Sequence, residues 1–428
     1  MQPMSKGKMI VIGVIALVVI GVILILTLGS KGPVGGTAAP KLTIWGVDGA
    51  NSFGGAIEAY NKLHNNASSI SYVKIDPANY ESELIKALAA QRGPDIFYVS
   101  NRSLAKLANL IVPVGQEVMN VNNLNQLYPS VVAEDFSING TVYALPLYID
   151  TLALVYNLDM FDRTLIVSPP STWQEFADDS NKLRVLNEKT QIQIAGAAIG
   201  GSEKSVDYAT DILNMIMIQN GTKMWNQDLS GASFAGGKNS SGSQAFNFYL
   251  SFSNPGDSNY TWNEAQQDSL NAFAGGKAAM AFAYSNDVAD IKRVSPYLRF
   301  SIAPVPQISA STTAAYPNYW GLAVSKQSQY SAGAWDFINF VAAQDSGSYS
   351  YLGVTGRPPA LRSIIASNLN DPDLGVFVKQ SLIARSWYTP DYDKIKEIFT
   401  SAISAVVSGQ KDSAQALKEA EDGVTALR

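Results

Sequence analysis

One histidine and no cysteine are present among the 428 residues. Thiol nucleophiles, thiol redox chemistry, disulfides and lipid attachment at a cysteine are therefore excluded. A zinc site would have to be almost wholly carboxylate, and a Ser-His-Asp triad has only His64 to draw on. That histidine lies in Asn61-Lys-Leu-His-Asn-Asn66, which reads as the frayed end of an exposed helix and predicts a surface residue. No catalytic group, metal or cofactor is expected. Paired carboxylates for a glycosidase remain open, as does the holding of a ligand by aromatic faces, carboxylates, amides and arginines.

Residues of those types recur at the ends of apolar runs. Asp48 and Asn51 follow a first β-rich run, although Asp48-Gly49 also reads as a plain turn. Ser100, Asn101 and Arg102 follow the buried run Asp95–Val99, at the strand end where open α/β sheets bind ligands; a capping loop is the alternative. Asp150 interrupts the apolar run Tyr143–Tyr156, where an unpaired charge is costly, so it either caps a helix or meets a ligand. Tyr284, Asn286 and Asp287 end another apolar run. Tyr319 and Trp320 precede Gly321, and a tryptophan beside a glycine suits a stacking plate. Trp225 is a further candidate, whereas Trp45, Trp173 and Trp335 fall in strand or helix patterns that predict core.

The elements that must position these groups can be read from periodicity. Lys41–Trp45, Ile70–Ile75 and Asp95–Val99 are strand-like. Between them, Ile57, Tyr60 and Leu63, then Tyr80, Leu84 and Leu88, recur at helical spacing. This β-α-β-α-β order predicts a parallel sheet covered by helices. Thr172 with Glu175 three residues on is a capping box. Helices are predicted near 207–218, 244–252, 334–341 and the C-terminus, a loop over Gly231–Gly242, and a left-handed cap at Gly275-Gly276.

Met9–Gly29 contains no charged residue. As a helix it would span roughly 31 Å, about the thickness of a bilayer core. Lys6 and Lys8 precede it, which predicts residues 1–8 in the cytoplasm and the rest outside the cell. The apolar stretch exceeds that of a usual signal peptide, so an uncleaved transmembrane anchor is expected, with a cleaved signal segment as the alternative. Residues 30–40 read as a flexible tether. The formal net charge is −5 with scattered basic residues, which gives no footprint for nucleic acid. The portion outside the membrane is long enough for two domains.

Several segments, taken in order, resemble extracellular solute-binding proteins of ABC importers, family 1, the maltose/oligosaccharide-binding type. They are Lys41–Trp45, Tyr80–Phe97, Gly140–Phe161, Pro170–Phe176, Ala272–Met280, Trp320–Lys326, Ala334–Phe340 and Thr355–Ala360. The resemblance runs from about Lys41 to the C-terminus. It implies an α/β, two-lobed, periplasmic-binding-protein-like (type II) fold with a hinge, here preceded by one N-terminal transmembrane helix. By analogy, lobe one is 41–149 with 299–330, and lobe two is 150–298 with 331–428.

The same resemblance implies a small-molecule ligand, a carbohydrate, held between the lobes of a monomer that docks on permease subunits. It adds Arg357, in a Gly/Pro-rich loop facing the hinge, and the aromatic pair Trp387-Tyr388 to the candidate site. Gly46–Asn51 lacks the lysine often found after the first strand in maltodextrin binders, which argues against maltose itself. A polyamine, a metal or another small solute on the same fold remains open. So does a sensor that presents its sugar to a receptor.

Overall fold

The computed structural model describes residues 41–428 apart from 66–68, 190, 238 and 310–311. The proposed anchor at 9–29 lies outside the described residues. Among the described residues, no helix is long and apolar enough to cross a membrane.

The expected β-α-β-α-β start is present. Strands Lys41–Gly46, Ser69–Lys74 and Ile96–Ser100 alternate with helices Gly54–Leu63 and Tyr80–Ala89. The first strand pairs in parallel with both others, Ile44 beside Ile96 and Leu42 beside Ile70. Every residue of Ile96–Ser100 is buried, as a strand covered on both faces requires. Trp320–Ser325 then enters antiparallel beside it, with Trp320 opposite Ser100. This pairing joins chain segments far apart in sequence and sets the rim on which several candidate residues sit.

The second lobe is built on a three-stranded antiparallel sheet. Ala153–Asn157 lies at its centre, flanked by Met280–Ala283 and Phe300–Ala303. Helices Trp173–Leu183, Ala209–Gln219 and Ser241–Ser251 pack into its core, as do Tyr392–Val407 and Ser413–Thr425. The Thr172/Glu175 capping box forms as predicted. Gly276 takes φ +67° after the short helix Ser269–Ala274, the left-handed position suited to glycine. The 231–242 stretch is less of a loop than its composition predicts: helix begins at Ser241, and Phe234 and Ala235 are buried in the core.

Two separate cores define the lobes, and their membership moves the predicted boundaries. Phe300–Ala303 belongs to the second sheet, and Val305 and Tyr316 lie in the second core. The chain therefore returns to lobe one near Pro317–Tyr319, not at 299. Helices Ser331–Ala343 and Asp345–Thr355 were expected in lobe two. They pack instead against lobe one, through Trp335, Phe337, Phe340 and Tyr351. Chain order could not show this, because an apolar helix face fits either core until the sheet beneath it is specified.

The chain passes between the lobes more than once. The Asp150–Thr151 strand pairs antiparallel with Pro317–Asn318, so two crossings run side by side. A further crossing lies between Ile364, in the first core, and Phe377, in the second, and Ala384 touches the first core again.

Candidate functional site

The first cluster surrounds Asp48, at the end of the first strand. Its Oδ2 accepts hydrogen bonds from the hydroxyls of Tyr98 at 2.7 Å and Tyr351 at 2.5 Å. Its Oδ1 lies 3.3 Å from Nη2 of Arg357. The Arg357 guanidinium also sits 4.8 Å from the ring centre of Tyr148. The Tyr98 ring passes so close to Gly46 that a Cβ there would fall 2.5 Å from it, which is why the strand ends in glycine. Asp48 and Arg357 are thus brought together, but each already has protein partners.

Asp150 realises the capping alternative. Its carboxylate accepts from the backbone N–H and the hydroxyl of Ser285 at 3.0 and 2.6 Å, at the start of helix Ser285–Val294. Burial raises its pKa to about 7 against the opposing pull of Ser285 and Arg357. Asp287 caps the same helix through the backbone N–H of Tyr284 at 2.8 Å and accepts from the Tyr208 hydroxyl at 3.0 Å. Burial lifts its pKa to about 6. Asn51 and Asn286 are exposed.

Tyr319 and Trp320 are neighbours with opposite fates, as alternation along a strand requires. Tyr319 is wholly buried in the lobe-one core, and its hydroxyl donates to Asp135 at 2.7 Å. It is a packing residue, not a cleft residue. Asn101 bonds the Tyr319 backbone at both N–H and carbonyl and closes the end of the sheet. Trp225 is buried in the lobe-two core and donates its indole N–H to the Tyr388 carbonyl at 2.7 Å. Trp320, in contrast, is only half-buried. Its ring packs edge-on to Tyr80 with centres 5.4 Å apart.

Arg102 is the candidate that reaches farthest. It leaves the lobe-one strand end, and its Nη2 lies 2.9 Å from Asp211 on the lobe-two helix Ala209–Gln219. The same nitrogen lies 3.0 Å from the Tyr284 hydroxyl and 2.9 Å from the Pro317 carbonyl. Burial acts to lower the guanidinium pKa, and Asp211 with the surrounding tyrosines more than offsets it, so that Arg102 stays charged. Lys106 adds a second bridge between lobes, to Asp391 at 3.4 Å, while also pairing with Glu81.

Two cavities flank Arg102. One, of about 180 Å³, is lined by Tyr80, Ser100, Trp320, Asn318, Asp391 and Tyr392. The other, of about 230 Å³, is lined by Asn101, Asp135, Ser386, Trp387 and Tyr388 among others. Both draw walls from the two lobes. Asp135 is half-buried and accepts from Ser386, Tyr319 and Asn101; desolvation of its carboxylate raises its pKa to about 7.

Residue-type reasoning missed Asp135, Asp211, Tyr316 and Tyr392. Asp211 carried a usable signal. It is a carboxylate inside Ala209–Gln219, a helix with ten of its eleven residues buried, which is the argument that singled out Asp150. The others lie in stretches whose role depends on which lobe they face. Among the described residues, no group of three or more histidine or acidic side chains is placed to hold a metal.

Two α/β lobes, joined by adjacent crossing strands and enclosing an aromatic and acidic cleft, define a hinged binding protein. The chain belongs to the bacterial extracellular solute-binding protein family, whose sequence profile matches residues 46–347. A candidate binding protein of Brucella abortus is 24% identical over 306 residues, covering 69% of this chain and 68% of the relative. The mannitol-binding protein of Pseudomonas aeruginosa is 24% identical over 332 residues, covering 70% and 72%. Among solved structures, the cyclic α-maltosyl-1,6-maltose binding protein of Arthrobacter globiformis superposes with a TM-score of 0.74 at 19% identity, covering 91% of this chain and 99% of the other. The family's role is binding rather than catalysis, in keeping with the single surface histidine.

Proposed function

We propose that this protein captures a carbohydrate in its interlobe cleft and delivers it to the permease subunits of an ABC importer. In this reading residues 9–29 anchor it in the cell membrane, with residues 41–428 outside the cell. The observation that carries the ligand class is Trp320. It is a half-buried indole at the rim of a cavity, braced edge-on by Tyr80. A flat aromatic face beside carboxylates and amides matches a molecule with C–H faces and a belt of hydroxyls. Sugar-alcohol and oligosaccharide binders among the similar proteins point the same way.

The cavities are smaller than the roughly 300–1,000 Å³ of typical ligand pockets, so a ligand larger than a monosaccharide requires the lobes to part. Hinge opening at the paired strands Asp150–Thr151 and Pro317–Asn318 supplies that motion.

The test is a thermal-shift and calorimetric screen of the full chain, in detergent, against mono- and oligosaccharides, polyols, polyamines and Fe³⁺. A ligand at 100 times its Kd stabilises the fold by about 2.7 kcal/mol. A sugar or polyol response supports the reading. A response confined to a polyamine or metal overturns the carbohydrate assignment. Membrane tethering is tested separately, by whether the expressed chain partitions with membranes and resists carbonate extraction.

A further inference from the structure

The surroundings of Arg102 form a cation site in their own right. Asp211 supplies the counter-charge at 2.9 Å. The Tyr392 ring lies 4.4 Å from the guanidinium carbon and the Tyr316 ring 5.3 Å. The Tyr284 hydroxyl and the Pro317 carbonyl complete the contacts at 3.0 and 2.9 Å. Tyrosine faces around a cation with one carboxylate are the arrangement that binds guanidinium and substituted ammonium groups.

Every wall of this cage comes from lobe two or the strand that leaves it. Asp211, Tyr284 and Tyr316 belong to lobe-two segments, and Tyr392 opens a lobe-two helix. Only the occupant, Arg102, comes from lobe one. The cage is also held together without its occupant, since the hydroxyls of Tyr284 and Tyr392 both donate to Asp211. The guanidinium fits incompletely: its contacts are made through Nη2, and its Nε is buried with no hydrogen-bond partner.

We propose that lobe two carries a binding cage for guanidinium-type cations, and that Arg102 occupies it as an intramolecular ligand that latches the two lobes together. Closure then derives part of its free energy from the protein's own cation. Opening exposes a preformed cage to solutes of the same class. The latch does not depend on the ligand being a carbohydrate, and its failure would leave that reading intact.

Arg102→Ala in the full chain tests this with methylguanidinium as probe. Calorimetry is expected to give saturable one-to-one binding to Arg102→Ala, at least about tenfold weaker or undetectable in the wild type. Adding Asp211→Asn to the variant is expected to abolish it. A folded Arg102→Ala protein that does not bind the probe, or a wild type that binds it equally well, overturns the proposal. If Arg102→Ala does not fold, spin labels on the two lobes of Asp211→Asn carry the test. A longer ligand-free interlobe distance than in the wild type supports the latch, and an unchanged distance overturns it.

Discussion

Asp150 and Ser285, 135 positions apart in the chain, are joined by carboxylate bonds to both the backbone N–H and the hydroxyl of the serine. The first strand to cross between the lobes is thereby fixed to the start of a lobe-two helix. A carboxylate at a helix N-terminus satisfies an otherwise orphaned donor and complements the helix dipole. Asp150→Ala is expected to lower stability by about 1–2 kcal/mol in denaturant titration. Ser285→Ala keeps the backbone bond and should lose less. Equal losses would show that the hydroxyl, not the cap, is what matters.

Asp135 and Asp150 make stability depend on pH with a definite sign. An unfolded aspartate titrates near 3.9, and burial raises both groups to about 7 in the fold. Between about pH 4 and 7 the folded chain therefore binds more protons than the unfolded chain, and stability falls as pH rises. Their contribution is fully present below about pH 4 and lost above about 7. Asp135→Asn is expected to flatten the fall in Tm between pH 5 and 7. A variant with the wild-type slope would remove Asp135 from this account.

The Asp48 cluster predicts a stability effect where residue type alone suggested a binding effect. Asp48→Ala leaves the Tyr98 and Tyr351 hydroxyls and the Arg357 guanidinium without their shared acceptor. Breaking a buried ion pair at one partner costs about 3–5 kcal/mol, and the 18% exposure of the Arg357 side chain places this pair at the low end. Denaturant midpoints measure it. A drop in ligand affinity with unchanged stability would instead return Asp48 to the ligand.

Trp320 and Tyr319 form a matched pair for separating binding from packing. Trp320→Ala is expected to weaken the carbohydrate by tenfold or more, about 1.4 kcal/mol, with little change in the denaturant midpoint. Tyr319→Phe removes the donor to Asp135 and should cost about 1 kcal/mol of stability without changing affinity. The pair is read by calorimetry and denaturation together. Reversed outcomes would place the wrong ring in the cleft.

The sequence by itself determined the elements and the class of chemistry. Strand and helix periodicity located Lys41–Gly46, Gly54–Leu63, Tyr80–Ala89 and Ile96–Ser100 to within a residue or so, because burial of alternate or every-fourth residues is written locally. One histidine and no cysteine excluded most covalent chemistry without any coordinates. The ordered motifs carried the family.

Only the tertiary structure decided which lobe each late helix joins, and which polar groups are already taken. Ser331–Ala343 has an apolar face that suits either core, and the sheet formed by Trp320–Ser325 selects one. The sequence left Asp150 open between capping a helix and meeting a ligand, and offered Asp287 as a ligand residue; the structure shows both capping the same helix start. Arg102 and Asp211 each carry a local signal, but nothing in the sequence pairs them across 109 residues. They belong to segments packed into two different hydrophobic cores, and a linear chain does not encode the distance between them.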